Sequence, residues 1–422
     1  MFGLITYSAI FGALTAWSYK RNAVALTAII CMFSLEQWGQ ASSSFFLTNN
    51  TFTNVAIGTL VLFVIIKKFL SSRLYFRVTA TSLAVYLLYM YSFISLVWSP
   101  NDSAIDLWIF MIPYLITIII FGPLLVNNSL DVNHLSKSLI WVGVPLAFLL
   151  LNFVEWKYRS IVIQGTTYEN SIFGNPLEVA TFASFIFIAV SFQDFTKTSA
   201  LRIISSVLIG ILSIALIITS GSRGQLLATI LVAFILLPIK YNIKNIGVFL
   251  FLGIFLAVLL GTVFYLINQF GDGNYRWDLD QIQKDILGRF DASYMMIDSW
   301  ISSGLNIIVG LGNSSSYTLI GTYPHNVLVE VFCEGGLIGG FMYLFILFNT
   351  IRIIKKIVKF TKKRTTNRDA ITLLAGFFLF AFIISLKQGS LIGNYYFFMF
   401  AIIIARLEID ILVKPRNKIN HV

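Results

Sequence analysis

The sequence predicts an all-α, polytopic membrane protein, and three observations carry that reading. Of 422 residues, 57% are hydrophobic and 12% charged, whereas soluble domains carry about a quarter charged residues. The mean hydropathy is +0.83, an excess of apolar side chains that one globular core cannot hide. Most apolar residues also fall into runs of about 20, the length that crosses a bilayer. A soluble enzyme, a disordered chain and a nucleic-acid binder are excluded on these grounds. The formal charge of +11 fits instead with basic residues flanking membrane spans.

Apolar runs set against polar breaks give about thirteen spans over the chain. Residues 2–19 and 23–38 are parted by Lys20 and Arg21. A leader over the first run is disfavoured, because further spans follow and no small-residue cleavage site precedes Lys20. The runs 54–66 and 78–98 flank Lys67, Lys68, Arg73 and Arg77, and Lys137 lies between 107–126 and 139–156. Lys197 and Arg202 separate 176–193 from 203–219, a Gly/Ser turn leads into 224–239, and Lys240 and Lys244 precede 246–267. The last spans are 326–349, 371–386 and 395–413, the first two separated by a basic loop over 352–370. Ile, Val, Phe and Leu surround many of these helices on all sides, as lipid and protein neighbours together require. Strong period-two alternation and repeats of 20–50 residues are missing, which argues against a barrel or a solenoid. A single integral membrane domain over 1–422 is expected. Cys31 and Cys333 lie in apolar runs and offer neither a disulfide framework nor a zinc motif.

Lysine and arginine set the orientation. One set of polar segments holds 22 of them and the opposite set seven, with Arg406 inside the last span. The positive-inside rule puts the richer set in the cytoplasm, and with it the C-terminus. Thirteen spans place the N-terminus outside, and twelve place it inside. The outward side then carries one long loop, 268–325, and long loops of this kind are usually functional. Within it, Asp280 to Trp300 has helical character and suits an amphipathic helix on the membrane face. Shorter outward loops run over 157–175 and 219–225.

Few residues on that side can do chemistry. His325 closes the long loop in Tyr323-Pro324-His325-Asn326, where Pro324 biases Tyr323 to extended geometry and His325 or Asn326 caps the next helix. Helical spacing then puts Glu330 and Glu334 on one face, and carboxylates in a span face water or a cation. Arg223 sits in Ser220-Gly221-Ser222-Arg223-Gly224, a planar fork beside turn N–H groups that suits phosphate oxygens. Arg289 is the third candidate, in Gly288-Arg289-Phe290, and Arg276 is a further cation of the same loop. Asn326, Glu330, Ser222 and Arg276 are expected to contact substrate. The Asp278-Leu279-Asp280 triplet reads as solvated charge rather than a metal site, so neither metal nor cofactor is expected. Gly335, Gly336, Gly339 and Gly340 form a small-residue surface for close helix contact, and Gly310-Leu311-Gly312-Asn313 reads as a turn. Walker, GxSxG and HExxH motifs are missing.

The order of these segments resembles the O-antigen polymerase and O-antigen ligase superfamily. Thr219-Ser220-Gly221-Ser222-Arg223-Gly224 is similar to that family's T-x-S-R-G hairpin. Gly288-Arg289, Trp300 and Gly310-Leu311-Gly312-Asn313 resemble its long-loop pattern, and His325-Asn326 with Gly336 and Gly339 fits H-N-x9-G-x-x-G. Phe173-Gly174-Asn175-Pro176 resembles the weaker G-x-F-x-N-P-N motif, with Leu177 in place of the last Asn and Tyr168 where Arg is common. The matches cover about 168–340. The resemblance implies an inverting, metal-independent GT-C-type glycosyltransferase in the bacterial inner membrane with its site facing the periplasm. Its donor and acceptor would be oligosaccharides on undecaprenyl diphosphate, with Arg223 and Arg289 stabilising the diphosphate leaving group and His325 accepting the acceptor proton. Glu330 would orient the imidazole or line the acceptor site. A repeat-unit polymerase is favoured because the other outward loops are short. The alternative is a ligase acting on lipid A–core, and less favoured is a glycolipid transporter or flippase, for which paired broken helices are missing. The partners implied are these glycolipids, the bilayer and a chain-length regulator protein, with no nucleic acid.

Overall fold

In a computed structural model the residues described are 2–71, 74, 76–157, 160–164, 172–193, 199–241, 279–361 and 365–412, with isolated positions between 247 and 261. The protein is an all-α polytopic membrane protein, and eight helices among the described residues are long and apolar enough to cross a bilayer. Helices stand at twelve of the thirteen expected spans, and the remaining one, 246–267, falls largely outside the described residues.

The chain opens with α1 (Phe2–Lys20), α2 (Val24–Ser42), the short α3 (Ser44–Thr48) and α4 (Phe52–Leu70). Next come α5 (Ala80–Ile94), α6 (Ala104–Leu115), a π-helical stretch at Ile116–Phe121, the single turn α7 (Gly122–Leu124) and α8 (Ser129–Asn152). Strands β1 (Trp156–Lys157), β2 (Ser160–Gln164) and β3 (Ile172–Phe173) precede α9 (Pro176–Ser191), α10 (Ala200–Thr219) and α11 (Arg223–Tyr241). The expected long loop holds α12 (Leu279–Ile301), α13 (Gly304–Val309) and α14 (Ser315–Ile320), before α15 (Val327–Phe360), α16 (Thr365–Ser385) and α17 (Tyr395–Leu412). The amphipathic helix expected over Asp280 to Trp300 is thus present as α12.

Local chemistry accounts for several boundaries. Thr79 and Ser82 close a capping box at the start of α5. Pro176 takes the first turn of α9, where its missing N–H costs nothing, and the Asn175 side chain accepts from the Leu177 N–H at 3.0 Å. Pro113 inside α6 removes a backbone donor, and the register slips into the π-helical stretch that follows. The basic segment 352–370 differs from expectation: most of it is helix, as the last turns of α15 and the first turn of α16. Lys and Arg are good helix formers, so the charged turns extend α15 past the apolar run.

The single membrane domain expected from the sequence is built of two compact units, Met1–Ile66 with Leu130–Ile282 and Lys67–Ser129 with Gln283–Val422. In the first, α1 lies on α2, and α9 lies on α10 and α11. Trp38 is fully buried and its Nε1 donates to Thr6 Oγ1 at 3.1 Å, while Thr229 Oγ1 donates to Ser184 Oγ at 2.7 Å. The strands form a small antiparallel sheet in the order β1-β2-β3, pairing Trp156 with Ile161 and Val162 with Phe173. Period-two patterning is too short there to register in the sequence, and the β-branched run Ile161-Val162-Ile163 explains the extended backbone. In the second unit α15 is central, lying against α5, α13, α16 and α17. Tyr343 is fully buried, stacked 5.2 Å from Phe397 and edge-on to Phe398 at 6.0 Å.

Candidate functional site

The site begins at the start of α15. Asn326 is its N-cap, the side chain accepting from Leu328 N at 3.0 Å and Val329 N at 3.3 Å. Of the two residues expected to cap, Asn326 does so, because its short carbonyl reaches two otherwise orphaned amides. His325 is thereby free of capping and takes φ +56°, a left-handed conformation uncommon outside glycine and worth a functional reading where the surroundings hold it. The Tyr323 ring stands 4.3 Å from the imidazole at 60°.

Two cations flank this histidine. Arg289, on α12, donates from Nη1 to the Lys387 carbonyl at 3.1 Å, tying α12 to the segment after α16. Burial holds the His325 imidazole below its ordinary pKa, and the charges of Arg289 and Lys387 push the same way. Burial also raises the Tyr323 phenol, opposed by Arg289 and reinforced by Glu330. A neutral imidazole beside two cations can accept a proton while an anion is held next to it.

A broken helix supports this arrangement. Gly336 lies inside α15 at φ +61°, ψ −165°, so the carbonyls just before it lose their partners in the next turn. Leu311 N donates to Cys333 O at 2.9 Å and Gly312 N to Glu334 O at 3.0 Å, satisfying two of them from the turn after α13. Asn313 locks that turn to α5 and α6. Its Nδ2 donates to Ser92 Oγ at 2.7 Å, and its Oδ1 accepts from Trp108 Nε1 at 2.9 Å. Trp300 closes the other side, Nε1 donating to Ile307 O at 3.3 Å with its ring 6.0 Å from Phe332. Of the four glycines read as a helix-contact surface, Gly336 serves instead to break α15 and admit Gly310, while Gly335 and Gly339 lie against Tyr91 of α5; the Gly-x-Gly turn is a brace.

Both glutamates are buried, and each accepts from backbone amides of a neighbouring segment. Glu334 accepts from Ser314 N at 2.7 Å and Ser316 N at 3.1 Å, at the start of α14. Glu330 accepts from Leu391 N at 2.8 Å, and Leu391 O accepts from Tyr89 Oη at 3.1 Å. The expected contact of Glu330 with the imidazole is not made: α15 turns the carboxylate inward to the segment that follows Lys387.

Ser222 and Arg223 belong to the first unit, where Gly221 at φ +63° turns the chain from α10 into α11. Ser222 is buried, and Arg223 is half-buried as the first residue of α11. Arg276 and Asp278 fall outside the described residues, as do Tyr168 and the side chain of Asp280. The Phe173–Pro176 motif closes on α2, with Gln37 Nε2 donating to Asn175 O at 3.1 Å. Sequence reasoning passed over Lys387, whose signal was a lysine just after the span 371–386, in the basic-poor set of polar segments.

No family model matches the chain, and no curated protein matches it. Among solved structures, the chain is similar to one in a structure titled "Structural coordination of polymerization and crosslinking by a peptidoglycan synthase complex", with a TM-score of 0.48 and 11% identity, covering 79% of this chain and 98% of that one.

Proposed function

We propose that the protein is an inner-membrane, inverting glycosyltransferase that polymerises oligosaccharide repeats carried on undecaprenyl diphosphate at the periplasmic face. The observation that supports it is the half-buried, left-handed His325 flanked by Arg289 and Lys387. In the proposed step the imidazole accepts the acceptor hydroxyl proton, the hydroxyl oxygen attacks the anomeric carbon, and the bond from that carbon to the diphosphate oxygen breaks. The electron pair leaves on the diphosphate, whose charge Arg289 stabilises through a two-point fork and Lys387 through its ammonium. Arg223 is assigned the same chemistry on the strength of its Gly/Ser turn and the family resemblance alone. The deciding experiment supplies reconstituted protein with lipid-linked repeats. Chains of increasing length are expected, and an unconsumed donor would overturn the proposal.

Two further outcomes are expected. Arg289→Lys and Arg223→Lys keep the charge and discard the planar fork, so each should lower turnover by about tenfold or more. Wild-type turnover in either would remove that arginine from the diphosphate. For sidedness, a cysteine at exposed Ser302 should react with a membrane-impermeant maleimide added to spheroplasts. Protection there, with labelling only after lysis, would reverse the assigned orientation.

A further inference from the structure

The segment joining α16 to α17 begins at Lys387 and is a built turn of the second unit. The amides of Lys387 and Gln388 both donate to Ile384 O at 2.9 Å, Gly389 takes φ +91°, and Asn394 N closes on Leu391 O at 3.3 Å. Leu391 is held on both sides of its backbone by other helices. Its N–H donates to Glu330 Oε2 on α15 at 2.8 Å, and its carbonyl accepts from Tyr89 Oη on α5 at 3.1 Å. Glu330, Tyr89 and Leu391 are all buried, so water does not compete for these bonds.

Glu330 is also tied to the histidine end of its own helix. Its N–H donates to Asn326 O at 3.0 Å, one turn from His325. A continuous path therefore runs from His325 through Asn326 to Glu330, and from the carboxylate to Leu391. Four residues back along the turn is Lys387, whose carbonyl accepts from Arg289 Nη1 at 3.1 Å. Both cations that act on the imidazole lie on this path, and the Tyr323 ring is its other titratable neighbour. Glu330 makes no ion pair among the described residues. The titratable groups around it are Glu334, one turn along α15, and the phenols of Tyr89, Tyr317, Tyr323 and Tyr343. A carboxylate in a span without a cation is expensive. What it supplies here is a charge-assisted hydrogen bond to Leu391, about twice as strong as a neutral one.

We propose that Glu330 is a positioning residue: through the Leu391 amide it holds the turn after α16 so that Lys387 and Arg289 stay beside His325. It acts through those cations and makes no contact with the imidazole. The inference rests on the reaction proposed at His325 and adds what fixes its two cations. With the anchor gone, the cations recede. The diphosphate loses stabilisation as it leaves, and burial alone is left to disfavour the imidazolium.

Full-length wild type would be compared with Glu330→Ala, Glu330→Gln and Tyr89→Phe. The chain has three histidines, so the imidazole signals of histidine-labelled protein can be titrated by NMR, with His325 assigned by its loss in His325→Ala. This reading needs no turnover. Glu330→Ala should move the His325 midpoint to higher pH by about 0.5 or more. It should also lower kcat by about tenfold to a hundredfold, with KM changed less. Gln presents an Oε1 to the same amide, so Glu330→Gln should recover most of both effects. Tyr89→Phe loosens the other side of Leu391 without altering α15, and should move the midpoint the same way by less. A general loss of folded protein would lower kcat and leave the midpoint in place. An unmoved midpoint in Glu330→Ala, or a Gln variant no better than Ala, would overturn the proposal. If Glu330→Ala fails to fold, the direction of the shift in Tyr89→Phe decides. Midpoints that move as expected in a protein that extends no chains would keep the positioning and reject the reaction.

Discussion

Alanine in place of His325 is expected to lower turnover of a lipid-linked donor by about 10²–10⁴-fold, the range typical for loss of a general base. Donor affinity should stay near wild type, because proton transfer acts in the transition state and the flanking cations still hold the diphosphate. Parallel measurement of donor binding and glycan laddering on the purified variant separates these effects. Normal laddering would remove the base, and loss of binding with unchanged chemistry would make His325 a clamp instead. Asn326 remains to cap α15, so the variant should fold.

The pH profile gives a second reading of the same residue. A general base works only when neutral, and burial with the charges of Arg289 and Lys387 disfavours the imidazolium. The acid limb of kcat/KM should therefore lie below the ordinary histidine value, with activity full above it and lost as pH falls. Lys387→Gln removes one opposing charge, so the limb should move to higher pH. A limb that stays in place would detach Lys387 from the electrostatics of His325.

Much of this architecture is legible in the sequence, for a physical reason. Spans are long, strongly apolar and bounded by charge, so α4, α10 and α11 can be read from composition alone. His325 and Arg289 stand out because the chain has three histidines and seven of its 30 lysines and arginines fall in the segments read as outward. What stays hidden depends on contacts distant in sequence. Asn313 meets Ser92 and Trp108, and Glu330 meets Leu391; no local pattern announces either. A buried carboxylate looks like a functional anomaly from the sequence, yet Glu334 spends its lone pairs on two backbone amides. The break in α15 is hidden for a related reason, since Gly336 sits in an apolar run that continues on both sides.

That break gives the largest structural effect expected in the protein. Gly336→Ala would place a side chain at φ +61°, ψ −165°, a region essentially reserved for glycine and costing about 1–3 kcal/mol in itself. The new Cβ would also fall 2.3 Å from Ile308 O and 2.5 Å from Gly310 N, both backbone atoms that cannot swing away. Gly310 offers no relief, for at φ +83° its own Cβ position lies 2.1 Å from Glu334 O. Relaxation must separate the turn after α13 from α15, releasing the amides of Leu311 and Gly312 from Cys333 and Glu334. Thermal unfolding of Gly336→Ala should show a total loss of about 3 kcal/mol or more, with donor binding and turnover lost together, unlike His325→Ala. Gly389→Ala isolates the dihedral cost, since that glycine has φ +91° with nothing within 4 Å of the added carbon, and it should lose far less. If the two alanine variants melted alike, the contact of Gly336 with Gly310 would not be what holds this part of the fold.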